Sequence, residues 1–360
     1  PNTSDIKDII MSSLIEALIK AAFENKASDI FLSEGSVARM KVNGQLMIAG
    51  DDQIEKKDMV AFWEECGADP EHEGDRDSSY VAHNGVRFRV NLHKHLGHLG
   101  AVLRQINTEI PDIDKLGLPV DILTRWVTAP AGIILITGPT GSGKSTTLAS
   151  SLEWLNQNSA KHIVTIEDPI EYLFESKKSL FTQREVHTDT DSFAKGLRSS
   201  LRQAPDVILL GEIRDPETAK IALQAAETGH LVLATLHSAN VSETIERLTN
   251  LFPSQDRESQ LQLLSNLLIG VCCQLLLPSA YGGLHLVTEH FENTGVIRNY
   301  IRESKIPDIV DFIGRGDNPN NKLFMNALVE ATQKGHLTHE EAASASGNES
   351  DFDRAMRGIS

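Results

Sequence analysis

Cysteine is scarce in this chain: three residues in 360, two of them neighbours at Cys272 and Cys273 inside an apolar stretch. That excludes a disulfide framework and a C-x-x-C metal element, and it points to a reducing compartment. Long apolar runs are also missing. No stretch approaches the roughly 18 residues of a membrane-crossing helix, and the sequence does not begin with a basic segment followed by a hydrophobic block. The expectation is a cytoplasmic protein that meets a membrane only through partners. Aromatic residues make up 5%, and 34 basic residues face 50 acidic ones for a net charge of -16. Both deficits count against a nucleic-acid partner, which needs stacking rings or a cationic surface.

What is present falls into two styles of sequence. Ile6, Ile9, Ile10, Leu14, Ala17, Leu18 and Ala21 recur at helical spacing and predict an amphipathic helix. Asn43-Gly44 and Asn84-Gly85 each separate two short strand-like runs, the signature of a tight hairpin turn. A helix with antiparallel strands makes residues 1–106 a small α+β domain. Residues 107–120 carry two prolines, a glycine and several charges and read as a linker. Over 121–360 the apolar runs GIILIT, HIVTIE, DVILL and HLVLATL alternate with helical segments, which predicts βαβ units, a mostly parallel sheet and an α/β fold. Two helix starts are marked, by Asp215 with Pro216 and by Thr338 with Glu341.

The stretch from GIILIT onward meets the G-x-x-x-x-G-K-[ST] pattern between a strand and a helix, with Gly138, Pro139, Thr140, Gly141, Ser142, Gly143, Lys144, Ser145 and Thr146 in order. Glycines let backbone N–H groups turn toward phosphate oxygens, and the helix that follows adds its positive end. Lys144 then neutralises the β and γ phosphates of ATP, and the Ser145 hydroxyl ligates Mg²⁺. Hydrolysis also needs a carboxylate at the end of a neighbouring strand. Two glutamates fit, Glu212 after VILLG and Glu167 after HIVTI, the latter followed by Asp168. The position usually held by a Walker-B aspartate is Gly211. This implies Glu212 as the group that orients water, with metal held by Ser145 and Glu167 directly or through water. His237 and His230 stand at opposite ends of HLVLATLH; His237 suits a γ-phosphate contact, and either histidine also suits a structural role. Arg89 and Arg104 fall on two strand-like segments of the first domain. Arg198 and Arg214 flank the acidic motifs, where they serve either the site or structural ion pairs.

Taken together, ASDIFLSEG, RFRVN, GPTGSGKSTTLA, TIEDPIEY, LRQAPDVILLGEIRDPET and AETGHLVLATLHSANVSETIERLTNLFP resemble the type IV pilus retraction ATPases, the PilT/PilU group of the secretion ATPase superfamily. The resemblance implies a homo-hexamer, a PAS-like first domain ahead of a RecA-like ATPase domain, and ATP-driven pilus retraction. It also implies an inner-membrane platform protein as partner, a paralogous motor ATPase as a further one, and Arg89 and Arg104 reaching ATP in the adjacent subunit. VIRNYIRE is similar to that family's retraction motif. Read physically it puts Val296, Ile297, Tyr300 and Ile301 on one helical face, with Arg298, Arg302 and Glu303 toward solvent. The rival readings are a pilus-assembly or secretion motor, a low-turnover nucleotide-binding ring, and a nucleic-acid translocase.

Overall fold

In the computed structural model, which describes residues 3–358 except 43, 73 and 107 and side chains from residue 14 onward, the chain divides into two units, Pro1–Thr108 and Glu109–Ser360. The first unit holds a six-stranded antiparallel sheet made of β1 (Asp29–Ser33), β2 (Val37–Val42), β3 (Gln45–Gln53), β4 (Arg76–Val81), β5 (Arg87–His95) and β6 (His98–Gln105), in the order β3-β2-β1-β6-β5-β4. Helices Thr3–Glu24 and Lys56–Glu65 belong to the same unit, and its core gathers Ile19, Phe62, Trp63, Phe88, Leu92 and Leu103.

The N-terminal helix turns a different face inward from the one its spacing predicts. Ile15, Leu18, Ile19 and Ala22 are buried, Leu14 and Ala21 are half-buried and Ala17 is exposed. Burying two isoleucines removes more apolar area from water than burying Leu14 and Ala17, and this sets the rotation. Ile6, Ile9 and Ile10 have side chains outside the described residues, as does Asn43 of the first predicted turn. The second turn is present: Gly85 sits at φ +81° and donates to the Ala82 carbonyl between β4 and β5. A third hairpin joins β5 to β6 through Leu96 and Gly97, both at positive φ (52° and 82°).

The second unit contains β7 (Gly132–Thr137), β8 (His162–Glu167), β9 (Leu180–Glu185), β10 (Val207–Leu210), β11 (Leu231–Leu236), β12 (Leu268–Pro278) and β13 (Leu284–Glu292), in the order β13-β12-β7-β11-β10-β8-β9. Every pairing from β12 to β9 is parallel, and β13 closes the edge antiparallel to β12. All residues of β7, β10 and β11 are buried, as a parallel sheet covered on both faces requires. Alternate residues serve two cores: Ile133 and Leu135 point to one, Ile134 and Ile136 to the other. The crossovers run through helices Lys144–Asn158, Phe193–Ser200 and Pro216–Glu227. Asp215 caps the last of these by accepting from Thr218 N, with Pro216 in its first turn. Thr338 likewise accepts from Glu341 N at the start of His339–Ala345.

Part of the stretch read as linker belongs to this unit. Ile113, in a short 3-10 turn, and Leu118 are buried beside Leu123 and Trp126. Proline and glycine there shape a strap whose apolar residues dock, so composition alone misreads it. Val296 is a second correction: it is exposed, whereas Ile297 and Ile301 are fully buried and Tyr300 packs at the edge of the core. A helix of eight residues has only a narrow buried stripe.

Gly270 gives a stability test of this packing. A Cβ there would lie 2.3 Å from Trp126 Cζ2 and 2.7 Å from the Phe291 carbonyl oxygen, and a backbone atom is hard to displace. Gly270→Ala is expected to destabilise the second unit by about 2–4 kcal/mol, read as a lower melting temperature. An unchanged melting temperature would mean that Trp126 does not seat against β12.

Candidate functional site

The C-terminal ends of β7, β8, β10 and β11 converge on one edge of the sheet, where ligands bind in open α/β folds. A cleft of about 540 Å³ opens there, lined by the phosphate loop, Glu167, Asp168, Glu212, Arg214 and His237.

The loop is built by its glycines. Gly138 leaves β7 at φ +145°, and a Cβ on it would stand 2.4 Å from the Gln274 carbonyl oxygen and 2.5 Å from Ser142 Oγ. Gly143, at φ +87°, occupies the cap position of Lys144–Asn158 and offers no side chain to the helix. The first N–H groups of that helix therefore lack a side-chain acceptor, a ready anion site. Ser142 Oγ is buried with no hydrogen-bond partner. Lys144 is 9% exposed, and its Nζ donates to the Gly138 and Pro139 carbonyls at 2.9 Å each. Burial pulls its pKa below the ordinary lysine value against the pull of Glu212 and Glu171. An ammonium so buried, with two carbonyl dipoles as its nearest acceptors, gains from an arriving polyanion. The loop fits phosphate.

Opposite the loop runs a chain of polar and charged groups. Lys144 Nζ lies 3.5 Å from His237 Nδ1, His237 Nε2 lies 3.6 Å from Glu212 Oε2, and Arg214 Nε donates to the same oxygen at 2.6 Å. Arg214 Nη1 extends the chain to Asp168 Oδ2 at 3.7 Å. Burial, the Lys144 ammonium and the Arg247 and Arg214 guanidinium groups hold the pKa of His237 below its usual value, with Glu212 opposing. The imidazole is then neutral at pH 7, and its neighbours select the tautomer: Nδ1 accepts on the ammonium side while Nε2–H faces the carboxylate. Arg247 fixes the backbone by donating to the His237 carbonyl.

Glu167 is half-buried as a residue, yet its Oε1 is shielded from solvent and has no hydrogen-bond partner. Burial raises its pKa to about 7. A cation at this carboxyl would relieve both conditions, and the Ser145 hydroxyl lines the same cleft. Among the described residues no three His, Cys, Asp or Glu side chains are grouped to hold a metal by themselves. A cation here must draw most ligands from phosphate and water, which suits Mg²⁺. Gly211 leaves room for this arrangement: its Cβ would meet Glu167 Cα and the Ile166 carbonyl oxygen at 3.3 Å and Phe193 Cε1 at 3.4 Å.

The remaining sequence candidates of the second unit do not line the cleft. His230 stands at the opposite end of β11, where its Nδ1 faces the Ala225 carbonyl at 2.9 Å and closes the helix Pro216–Glu227; it takes no part in the cleft. Arg198 pairs with Glu217 at 3.0 Å on the surface. Arg298 and Arg302 lie exposed on the helix Gly295–Arg302. Arg89 and Arg104 are direct cross-strand partners on β5 and β6, so they do share one face of the first unit. Arg104 is held by Asp29, with Nε and Nη2 both 2.7 Å from Oδ1; Arg89 is loosely placed, 3.8 Å from Asp77. The sequence reading did not single out Glu171, Phe193 or Thr235, which also line the cleft. Glu171 had a signal, lying four residues beyond Glu167; Phe193 and Thr235 read as ordinary helix and strand residues.

A phosphate loop at the end of β7, facing a glutamate and a histidine across the carboxyl edge of a mostly parallel sheet, defines a RecA-like P-loop ATPase. The chain belongs to the family of type II/IV secretion system proteins, whose family model matches residues 4–285. It is 38% identical to the type IV pilus retraction ATPase PilT of Pseudomonas aeruginosa, over 91% of this chain and 96% of that protein. It is 36% identical to the type IV pilus ATPase PilU of the same organism, over 94% of this chain and 90% of the relative. The crystal structure of the pilus retraction motor PilT with bound ADP superposes with a TM-score of 0.86 at 39% identity, covering 94% of this chain and 99% of that one.

Proposed function

We propose that this chain is a motor that converts ATP hydrolysis into type IV pilus retraction, acting as a ring of six copies against a platform protein in the inner membrane. The observation that carries the reading is the cleft in which Lys144, His237 and Glu212 stand in series, on a chain similar along almost its whole length to an ADP-bound retraction motor. When ATP enters, the Lys144 ammonium exchanges the Gly138 and Pro139 carbonyls for phosphate oxygens. Glu212 orients the attacking water and takes its proton, and His237, held neutral with its Nε2–H toward Glu212, keeps that carboxylate in place. Mg²⁺ held beside Ser145 and Glu167 would supply charge neutralisation at the phosphates. Arg89 and Arg104 serve the neighbouring copy's nucleotide, so that occupancy of one site is sensed across the ring.

A second reading rests on the near-equal identities to PilT and PilU: an accessory motor working beside a paralogous retraction ATPase. Pilus dynamics in cells lacking this chain separate the readings. Pili are expected to assemble and fail to retract, with rescue by the wild-type chain and none by Lys144→Ala. Normal retraction under low load with failure only under high load would favour the accessory role. Cells without pili would overturn both in favour of an assembly motor.

A further inference from the structure

Glu289, on β13, is a buried carboxylate that the cleft chemistry does not use. It is 7% exposed, and burial raises its pKa against two backbone N–H groups that lower it. A charge at this depth is tolerated only when its oxygens are satisfied. Each oxygen has one donor. Oε1 accepts from Val241 N at 2.7 Å, and Oε2 accepts from Phe324 N at 3.0 Å. These donors are the first residues of two separate helices, Val241–Asn250 and Phe324–Gln333.

The first helix is tied to the cleft. Val241 follows His237 by four residues, and the loop between them is strapped down: Ser238 Oγ lies 2.6 Å from Thr244 Oγ1, which lies 3.1 Å from Thr137 Oγ1 at the end of β7. Backbone movement at His237 would therefore load the start of this helix through the Ser238–Thr244 bond. The second helix opens the C-terminal group that packs around Leu328, Leu337 and Phe352. Its cap residue, Leu323, offers no side-chain acceptor. Asn240 already caps the first helix by accepting from Glu243 N, so local residues meet part of the need there. A cap local to position 323 would serve the second helix alone; one planar carboxylate across both starts also fixes their spacing.

We propose that Glu289 is a positioning residue that couples the His237 loop to the C-terminal helices, so that a nucleotide-driven shift of the loop reaches Phe324–Gln333. The proposal rests on the ATPase reading of the cleft and is independent of what the motor pulls.

Glu289→Gln tests it. The amide keeps the volume but has one acceptor oxygen and turns an N–H₂ toward a donor, so one of the two bonds is lost. The expected result is a fall in kcat of about tenfold with KM for ATP within about twofold of wild type. Amide hydrogen exchange supplies the second readout. Exchange in 324–333 is expected to slow in the wild-type chain when a non-hydrolysable ATP analogue binds, and to ignore the analogue in the variant. Val241→Pro removes one donor while leaving Glu289 in place. Proline is accepted at the first helical position, and Asn240 ahead of it is extended (φ -156°, ψ 175°). It should give the same pair of effects, and it decides the matter if Glu289→Gln fails to fold. Wild-type kcat and an intact nucleotide response in a folded variant, with only a lower melting temperature, would reduce Glu289 to a structural cap. Wild-type exchange in 324–333 that ignores nucleotide while phosphate release proceeds would sink the coupling and leave the ATPase standing.

Discussion

Glu212→Gln is expected to lower phosphate release from ATP by about a hundredfold to a thousandfold, with ATP affinity kept within a fewfold. Glu212 does not hold the phosphate loop. The Gly138 turn, the uncapped start of Lys144–Asn158 and the bonds from Lys144 Nζ to the Gly138 and Pro139 carbonyls do not involve it. What the carboxylate contributes is a base, 9% exposed, fixed by Arg214 and facing His237. Glutamine keeps the shape and can still accept from Arg214, but it cannot take a proton from water. The comparison that checks this is single-turnover phosphate release beside equilibrium binding of a fluorescent ATP analogue. Equal losses in both would mean that Glu212 builds the binding site, and an unchanged rate would move the base to Glu167 or Asp168.

The sequence reveals parts of this site because local chemistry fixes them. The phosphate loop is legible since its glycines are demanded by backbone geometry within a few residues: a side chain on Gly138 collides with Ser142 and Gln274. The parallel sheet is legible from runs such as GIILIT, buried on both faces. What the sequence hides depends on tertiary partners. His230 and His237 end the same strand and look alike in the string; only the fold puts one against a helix end and the other between Lys144 and Glu212. Leu96 has no hairpin signature, since leucine rarely takes positive φ, yet it forms the β5–β6 turn while 96% exposed. The strap around Ile113 and Leu118 was hidden by its prolines. Glu289 was hidden because its two donors lie 48 and 35 positions away.

Gly211 is the position where the chain departs from the commonest phosphate-loop pattern, and Gly211→Asp is expected to remove activity rather than restore it. A Cβ there already presses on the Ile166 carbonyl oxygen and Glu167 Cα at 3.3 Å, both backbone atoms. Gly211 is itself pinned, donating to the Ile166 carbonyl at 2.8 Å and accepting from Thr235 Oγ1. The added carboxylate would stand beside Glu167, whose own carboxyl is buried with a pKa raised to about 7, and two such groups at close range resist shared ionisation. The neighbouring backbone must give by a few tenths of an ångström, which shifts Glu167 and the adjoining Glu212. Turnover is expected to drop about a hundredfold or more, with a loss of stability of about 1–3 kcal/mol from overpacking. Gly211→Ala adds the contact without the charge and should fall between wild type and Gly211→Asp in both measures. Steady-state phosphate release and thermal unfolding of the three proteins give the order. An aspartate variant as active as wild type would mean that the strand ends have room for a second carboxylate, and that Glu167 is not the group that metal binding depends on.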